Sequence, residues 1–127
     1  MTTRKAAGTV LVVEDDGDIR DELADVIEDS NYRTIRAANG AVALQKLRGG
    51  PRPCVILLDL MMPVMDGHAF LAEQQSDAAL KEIPVVVLSA HVDGARGGTQ
   101  MSAAAFLKKP IDLAELLSTI AKFCGKS

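Results

Sequence analysis

Three runs rich in Val, Ile and Leu are apolar at every position: Val10-Leu11-Val12-Val13, Cys54-Val55-Ile56-Leu57-Leu58 and Val85-Val86-Val87-Leu88. A strand with one face in water alternates apolar and polar residues, whereas a strand covered on both faces does not. Short unbroken runs therefore predict central strands of a parallel sheet, and the stretches between them carry the helical periodicity that such a sheet needs as cover. Behind the first run, Ile19, Leu23, Val26 and Ile27 recur at helical spacing with Arg20, Asp21 and Glu22 outward, and Asn31 ends the helix. Arg33 to Ala37 is a more polar strand, suited to a sheet edge. Asn39-Gly40 opens a second helix carrying Val42, Leu44 and Leu47, and after Gly67 a third turns Phe70 and Leu71 inward. Gly94, Gly97 and Gly98 each lower helix propensity by about 1 kcal/mol relative to alanine, so the helix expected between Ser89 and Ala103 is short or late. A last strand, Ala105 to Leu107, leads into Lys108-Lys109-Pro110. Asp112, with Glu115 three residues on, then caps a final helix buried through Leu113, Leu116, Leu117 and Ile120. Together these segments predict an α/β fold.

At 127 residues, with 48% apolar and 24% charged residues, the chain has the size and composition of one globular domain. Residues 1–8 are small and polar and are expected to form a flexible tail, leaving 9–127 as the folded unit. A net charge of −3, with no basic run longer than Lys108-Lys109, argues against a nucleic-acid or anionic-lipid surface. The longest apolar runs fall far short of the roughly 20 residues a membrane span requires. Cys54 and Cys124 lie in apolar surroundings with no secretory signal ahead of them, and are expected as free thiols in a reducing cytoplasm.

Ligands of an open parallel sheet bind outside the carboxyl ends of its strands, where the strand order reverses. At those ends the sequence has Glu14-Asp15-Asp16, Asp59, Ser89 and Lys109. Carboxylates brought together from neighbouring strands repel one another, and a cation relieves the conflict. Oxygen donors suit Mg2+, whereas the ligands for a transition metal are missing: His68 and His91 form no spaced pair. An aspartate beside a metal and a lysine is also a nucleophile toward phosphorus, giving an acyl phosphate. Ser89 offers a hydroxyl to a phosphoryl oxygen.

These residues make the chain resemble a response-regulator receiver domain of two-component signalling, from Thr9 to Cys124. The resemblance rests on Val12-Val13-Glu14-Asp15-Asp16 with Arg20, Leu58-Asp59-Leu60-Met61-Met62-Pro63-Val64-Met65-Asp66-Gly67, Leu88-Ser89-Ala90 and Phe106-Leu107-Lys108-Lys109-Pro110. It implies a flavodoxin-like, doubly wound five-stranded parallel sheet in the order 2-1-3-4-5 with about five helices. It further implies that Asp59 is the phosphoacceptor, and that Glu14, Asp15, Asp59 and the backbone carbonyl of Met61 hold Mg2+. Asp16 stands outside this group. Ser89 and Lys109 become the phosphate-binding and switch residues, and Phe106 the aromatic switch. Met61 and His91, two residues beyond Asp59 and Ser89, are expected to control dephosphorylation by restricting water. The implied donor is a phosphohistidine on a sensor histidine kinase or a phosphotransfer protein, and the implied output a contact with a downstream protein. On this view the protein is no enzyme beyond catalysing its own phosphorylation and autodephosphorylation.

Some features depart from the family pattern. The segment from Ser89 to Lys109 is short and rich in glycine, the glycine that often precedes the fifth strand is missing, and Phe106 replaces the commoner tyrosine. The alternative function is a degenerate receiver that binds a partner without phosphorylation, against which the intact set of Glu14, Asp15, Asp59 and Lys109 speaks. A haloacid-dehalogenase-type phosphatase would carry its nucleophile after the first strand, and a flavin site would need a Ser/Thr/Gly loop where this chain has acids.

Overall fold

The computed structural model describes residues 8–59, 67–89 and 103–124. Along the chain run β1 (Thr9–Val13), α1 (Gly17–Asp29), β2 (Arg33–Ala37), α2 (Gly40–Gly49), β3 (Val55–Asp59), α3 (Gly67–Ser76), β4 (Val85–Ser89), β5 (Ala105–Lys108) and α4 (Leu113–Cys124). The five strands form one sheet in the order β2-β1-β3-β4-β5, and every neighbouring pair is parallel. The polar strand β2 takes an edge, as its composition predicts. Four helices lie among the described residues, and the helix expected between Ser89 and Ala103 falls outside them. So does the tail, apart from Gly8, whose carbonyl accepts the Arg33 amide at 2.9 Å.

The missing polar alternation of the central strands follows from how they bury. Leu11, Val13, Ile56, Leu58, Val85 and Val87 join residues of α2 and α3 in one core. Their alternates Val10, Val12, Val55, Leu57, Val86 and Leu88 join Leu23 and Ile27 of α1 and Leu116 and Ile120 of α4 in the other. Full burial of a Leu, Ile or Val side chain contributes about 1.5–3 kcal/mol, so these two layers hold the helices to the sheet. Two members of the expected helical stripes differ: Ile19 and Leu113 are each 39% exposed. Both occupy the first turn of a helix that follows the carboxyl end of a strand.

Local chemistry sets the helix boundaries. Asn39 Oδ1 accepts the Val42 amide and Asp112 Oδ1 accepts those of Ala114 and Glu115, each satisfying donors that a helix start leaves open. Asn31 ends the α1 turn at φ 71°, a left-handed conformation that asparagine tolerates better than most residues. Gln74 of α3 is fully buried, and its Nε2 donates to the carbonyls of Leu80, at 2.6 Å, and Ile83, at 3.1 Å. This side chain ties α3 to the turn that leads into β4. Gln74→Met keeps the volume and deletes the donors, so urea denaturation should show a loss of about 2 kcal/mol. A change within the ~0.5 kcal/mol typical of surface substitutions would remove Gln74 from that role.

The cysteines require a correction. Cys54 and Cys124 are not free thiols here but form a disulfide, with Cα atoms 5.3 Å apart and a sequence separation of 70. The last turn of α4 reaches the start of β3, a proximity created by the fold and invisible in the spacing.

Candidate functional site

All strands run the same way, so their carboxyl ends share one edge, and the order reverses between β1 and β3. Glu14 follows β1 directly and Asp59 is the last residue of β3. Ser89 ends β4 opposite Lys108, which puts Lys109 one residue past the end of β5. Glu14 is 1% and Asp59 4% exposed, while Asp15 is open to solvent. One ligand oxygen from each of Glu14, Asp15 and Asp59 lies within 4.8 Å of the other two. Lys109 Nζ is 3.2 Å from Asp59 Oδ1 and 3.5 Å from Glu14 Oε1. A cis peptide bond joins Lys109 to Pro110.

Electrostatics show that this constellation is unbalanced. Burial, then the hydrogen bond with Asp59 and the charge on Asp59, push the Glu14 carboxyl up to about 7, against the pull of the Asp16 amide and of Lys109. Burial alone would lower Lys109, but the charges of Glu14 and Asp59 outweigh it and hold the ammonium above the usual lysine range. Glu14 Oε1 is buried with no hydrogen bond among the described residues, its ion-pair partner Lys109 Nζ standing off at 3.5 Å. A buried carboxylate oxygen in that state is costly, and a cation held by the surrounding oxygens would satisfy it. The donors are all carboxylates, which fits a hard divalent ion rather than a soft metal.

The segment carrying Glu14 and Asp15 is fixed by the helix that follows. Asp16 stands outside the acidic group, as expected, and its role is structural: Oδ1 accepts the amides of Asp18, at 2.9 Å, and Ile19, at 3.1 Å, capping α1. The Asp16 amide donates to Glu14 Oε2 at 3.2 Å. From the first turn of α1, Arg20 Nη1 donates to the Glu14 carbonyl at 2.8 Å. The loop is therefore held at its side chain, its backbone and its exit. The capping role of Asp16 has a signal in the sequence, since Asp16 stands just ahead of the helical period; Arg20, which that period places outward and the resemblance includes, turns instead to the Glu14 carbonyl.

The remaining expected site residues divide in two. Phe106 of β5 is half-buried and packs against the core on the α2 and α3 face. Met61 and His91 lie outside the described residues, as does the side chain of Ser89, of which only the backbone position at the end of β4 is described.

The sequence profile of the response regulator receiver domain matches residues 10–121. Response regulator Rre1 of Synechocystis is 36% identical over 111 residues, covering 85% of this chain and 48% of the relative. The chain thus spans about half the length of the first curated relatives it matches. Among solved structures, the Vibrio cholerae chemotaxis protein CheY4 superposes with a TM-score of 0.83 at 29% identity, covering 94% of this chain and 99% of that one. The Mn(2+)-bound form of response regulator Rcp1 superposes with a TM-score of 0.74 at 30% identity, covering 91% of this chain and 90% of that one.

Proposed function

Because the chain belongs to the response regulator receiver domain family, a family of signalling modules, we propose that Asp59 accepts a phosphoryl group from a phosphohistidine and that the acyl phosphate switches a protein-binding surface. The observation that carries this reading is the meeting of Glu14, Asp15 and Asp59 with Lys109 at one sheet edge, Lys109 Nζ lying 3.2 Å from Asp59 Oδ1. A carboxylate oxygen of Asp59 attacks phosphorus; the new O–P bond forms as the P–N bond to the donor imidazole breaks, its electron pair returning to that nitrogen. Lys109 pairs with the transferred oxygens, and Ser89 donates its hydroxyl to one of them. Phe106 responds by packing alone, having no hydroxyl.

Glu14, Asp15, Asp59 and the Met61 carbonyl would hold the divalent ion, Mg2+. When bound, it neutralises charge on the transferring phosphoryl oxygens. The donor set supports this, as does the Mn(2+)-bound form of the related Rcp1. In the same reading residues 9–127 are the receiver and 1–8 its tail, and the protein works in the cytoplasm. Its donor is a sensor histidine kinase or a histidine phosphotransfer protein, and it binds no nucleic acid directly. No helix among the described residues is long and apolar enough to cross a membrane. Met61 and His91 slow hydrolysis by limiting water at the phosphoryl group.

Intact mass tests the reading. After incubation with acetyl phosphate and Mg2+, wild-type protein should gain one phosphoryl group, about 80 Da, and Asp59→Asn none. Failure of wild type to take up phosphate at any Mg2+ concentration would leave the phosphorylation-independent binding module as the better description. Turnover of added phosphomonoesters would instead identify a phosphatase.

A further inference from the structure

At the opposite sheet edge from the acidic group, Cys54 precedes β3 and Cys124 ends α4. Their disulfide, across a sequence separation of 70, closes a loop that contains β3, α3, β4, β5 and α4. Both cysteines are half-buried. Between them and Asp59 lies the whole of β3, roughly 16 Å at the usual rise per strand residue.

We propose that Cys54 and Cys124 form a reversible thiol–disulfide exchange site for low-molecular-weight disulfides and thiols of the glutathione type, and that its redox state sets the stability of the fold without altering the acidic site. Two contacts adapt this corner to both states. The Thr9 carbonyl lies 3.3 Å from Cys54 Sγ, so the thiol has a hydrogen-bond acceptor in place once the sulfur regains its proton. The same carbonyl accepts the Cys54 amide at 2.8 Å, which fixes the backbone in either state. Gly8 leaves the room: a Cβ there would sit 2.8 Å from Cys54 Sγ and 3.6 Å from Cys124 Cβ.

The exchange balances without a metal. A thiolate of the pair attacks one sulfur of an oxidised glutathione-type disulfide, forming a mixed disulfide and expelling one thiolate. The second cysteine, deprotonated, attacks the mixed disulfide at the protein sulfur, so that the Cys54–Cys124 bond forms and the second small thiolate leaves. Two electrons pass from the protein to the small disulfide, and the two protons go to the released thiolates or to solvent. Reduction runs the same steps backward. Linking residues across a loop of this length restricts the unfolded chain strongly, whereas the folded chain already holds the two ends together.

The experiment uses the full chain equilibrated in glutathione buffers of graded ratio, quenched in acid and treated with maleimide after denaturation. Oxidised protein should take no maleimide and reduced protein two, with a smooth transition that is the same from either direction. Reduction should lower the wild-type Tm by on the order of 10 °C, and leave Cys54→Ser/Cys124→Ser unchanged. Uptake of phosphate from acetyl phosphate should differ less than twofold between the oxidised and reduced forms, which separates this proposal from the fate of the Asp59 reading. Two maleimides at every ratio would overturn the proposal, because no bond forms. None at any ratio would overturn it too, because the bond would then be a fixed structural one. A Tm that does not move on reduction would overturn the stabilising role.

Discussion

In the absence of divalent cations, raising the pH from 4.5 to 8 should remove about 3 kcal/mol of stability, the part contributed by proton uptake at Glu14. The folded protein holds this carboxyl at about 7, against 4.5 for the ordinary group. Between those two values the folded chain therefore keeps a proton that the unfolded chain has released. Folding is favoured by proton uptake in this window, so stability is greatest at its acid end and falls as pH rises through 7. Glu14 is 1% exposed, which leaves little solvent to screen the effect. Other groups titrate over the same range, so the measurement is the difference between wild type and Glu14→Gln in urea denaturation with EDTA. Wild type should lose ground steadily to the variant from pH 4.5 to 8. A flat difference would show that Glu14 is ionised at ordinary acidity and that the site is not strained. Under the proposed function, millimolar Mg2+ should flatten the wild-type curve and leave that of Glu14→Gln as it was.

The same residues explain how far the sequence reached. Val10 to Val13 and Val85 to Leu88 signalled their strands because burial on two faces removes every polar position. Once the sheet is parallel, residues at or just past the carboxyl end of any strand arrive at one edge, which made Glu14, Asp59 and Lys109 legible together. Periodicity, however, gives the direction a side chain faces and not what lies beneath it. Ile19 and Leu113 therefore stood on the correct stripe and still met solvent. Gln74 is the converse case, since a polar residue on the stripe of Phe70 breaks the apolar pattern unless its amide finds carbonyls, which the turn at Leu80 and Ile83 supplies. The pairing of Cys54 with Cys124 depends on where α4 ends relative to β3, a tertiary fact with no local trace. Asp16 stands outside the acidic group because its value lies in the α1 cap.

Lys109→Met should cost about 2–3 kcal/mol at pH 8 and less than about 1 kcal/mol at pH 5. Methionine retains most of the stem's packing, so the loss reports the ammonium, which lies within ion-pair distance of both Glu14 and Asp59. At pH 8 its removal leaves two buried carboxylates facing each other without a counter-charge. At pH 5 Glu14 already holds a proton, since its carboxyl is pushed up to about 7, and one charge of the pair is gone. The cost of the substitution should thus grow with pH, and Lys109→Arg, which keeps the charge, should recover most of it. Equal losses at the two pH values would assign Lys109 to packing. If Lys109 also pairs with the incoming phosphoryl oxygens, Lys109→Met should take up phosphate from acetyl phosphate on the order of 100-fold more slowly than wild type at pH 8. On the proposed function, Mg2+ should return stability to this variant without restoring that rate, because the acidic oxygens that would hold the ion remain while the cation that would meet the phosphoryl group does not. Stability and rate recovering together would mean that the ammonium serves only to neutralise Glu14 and Asp59.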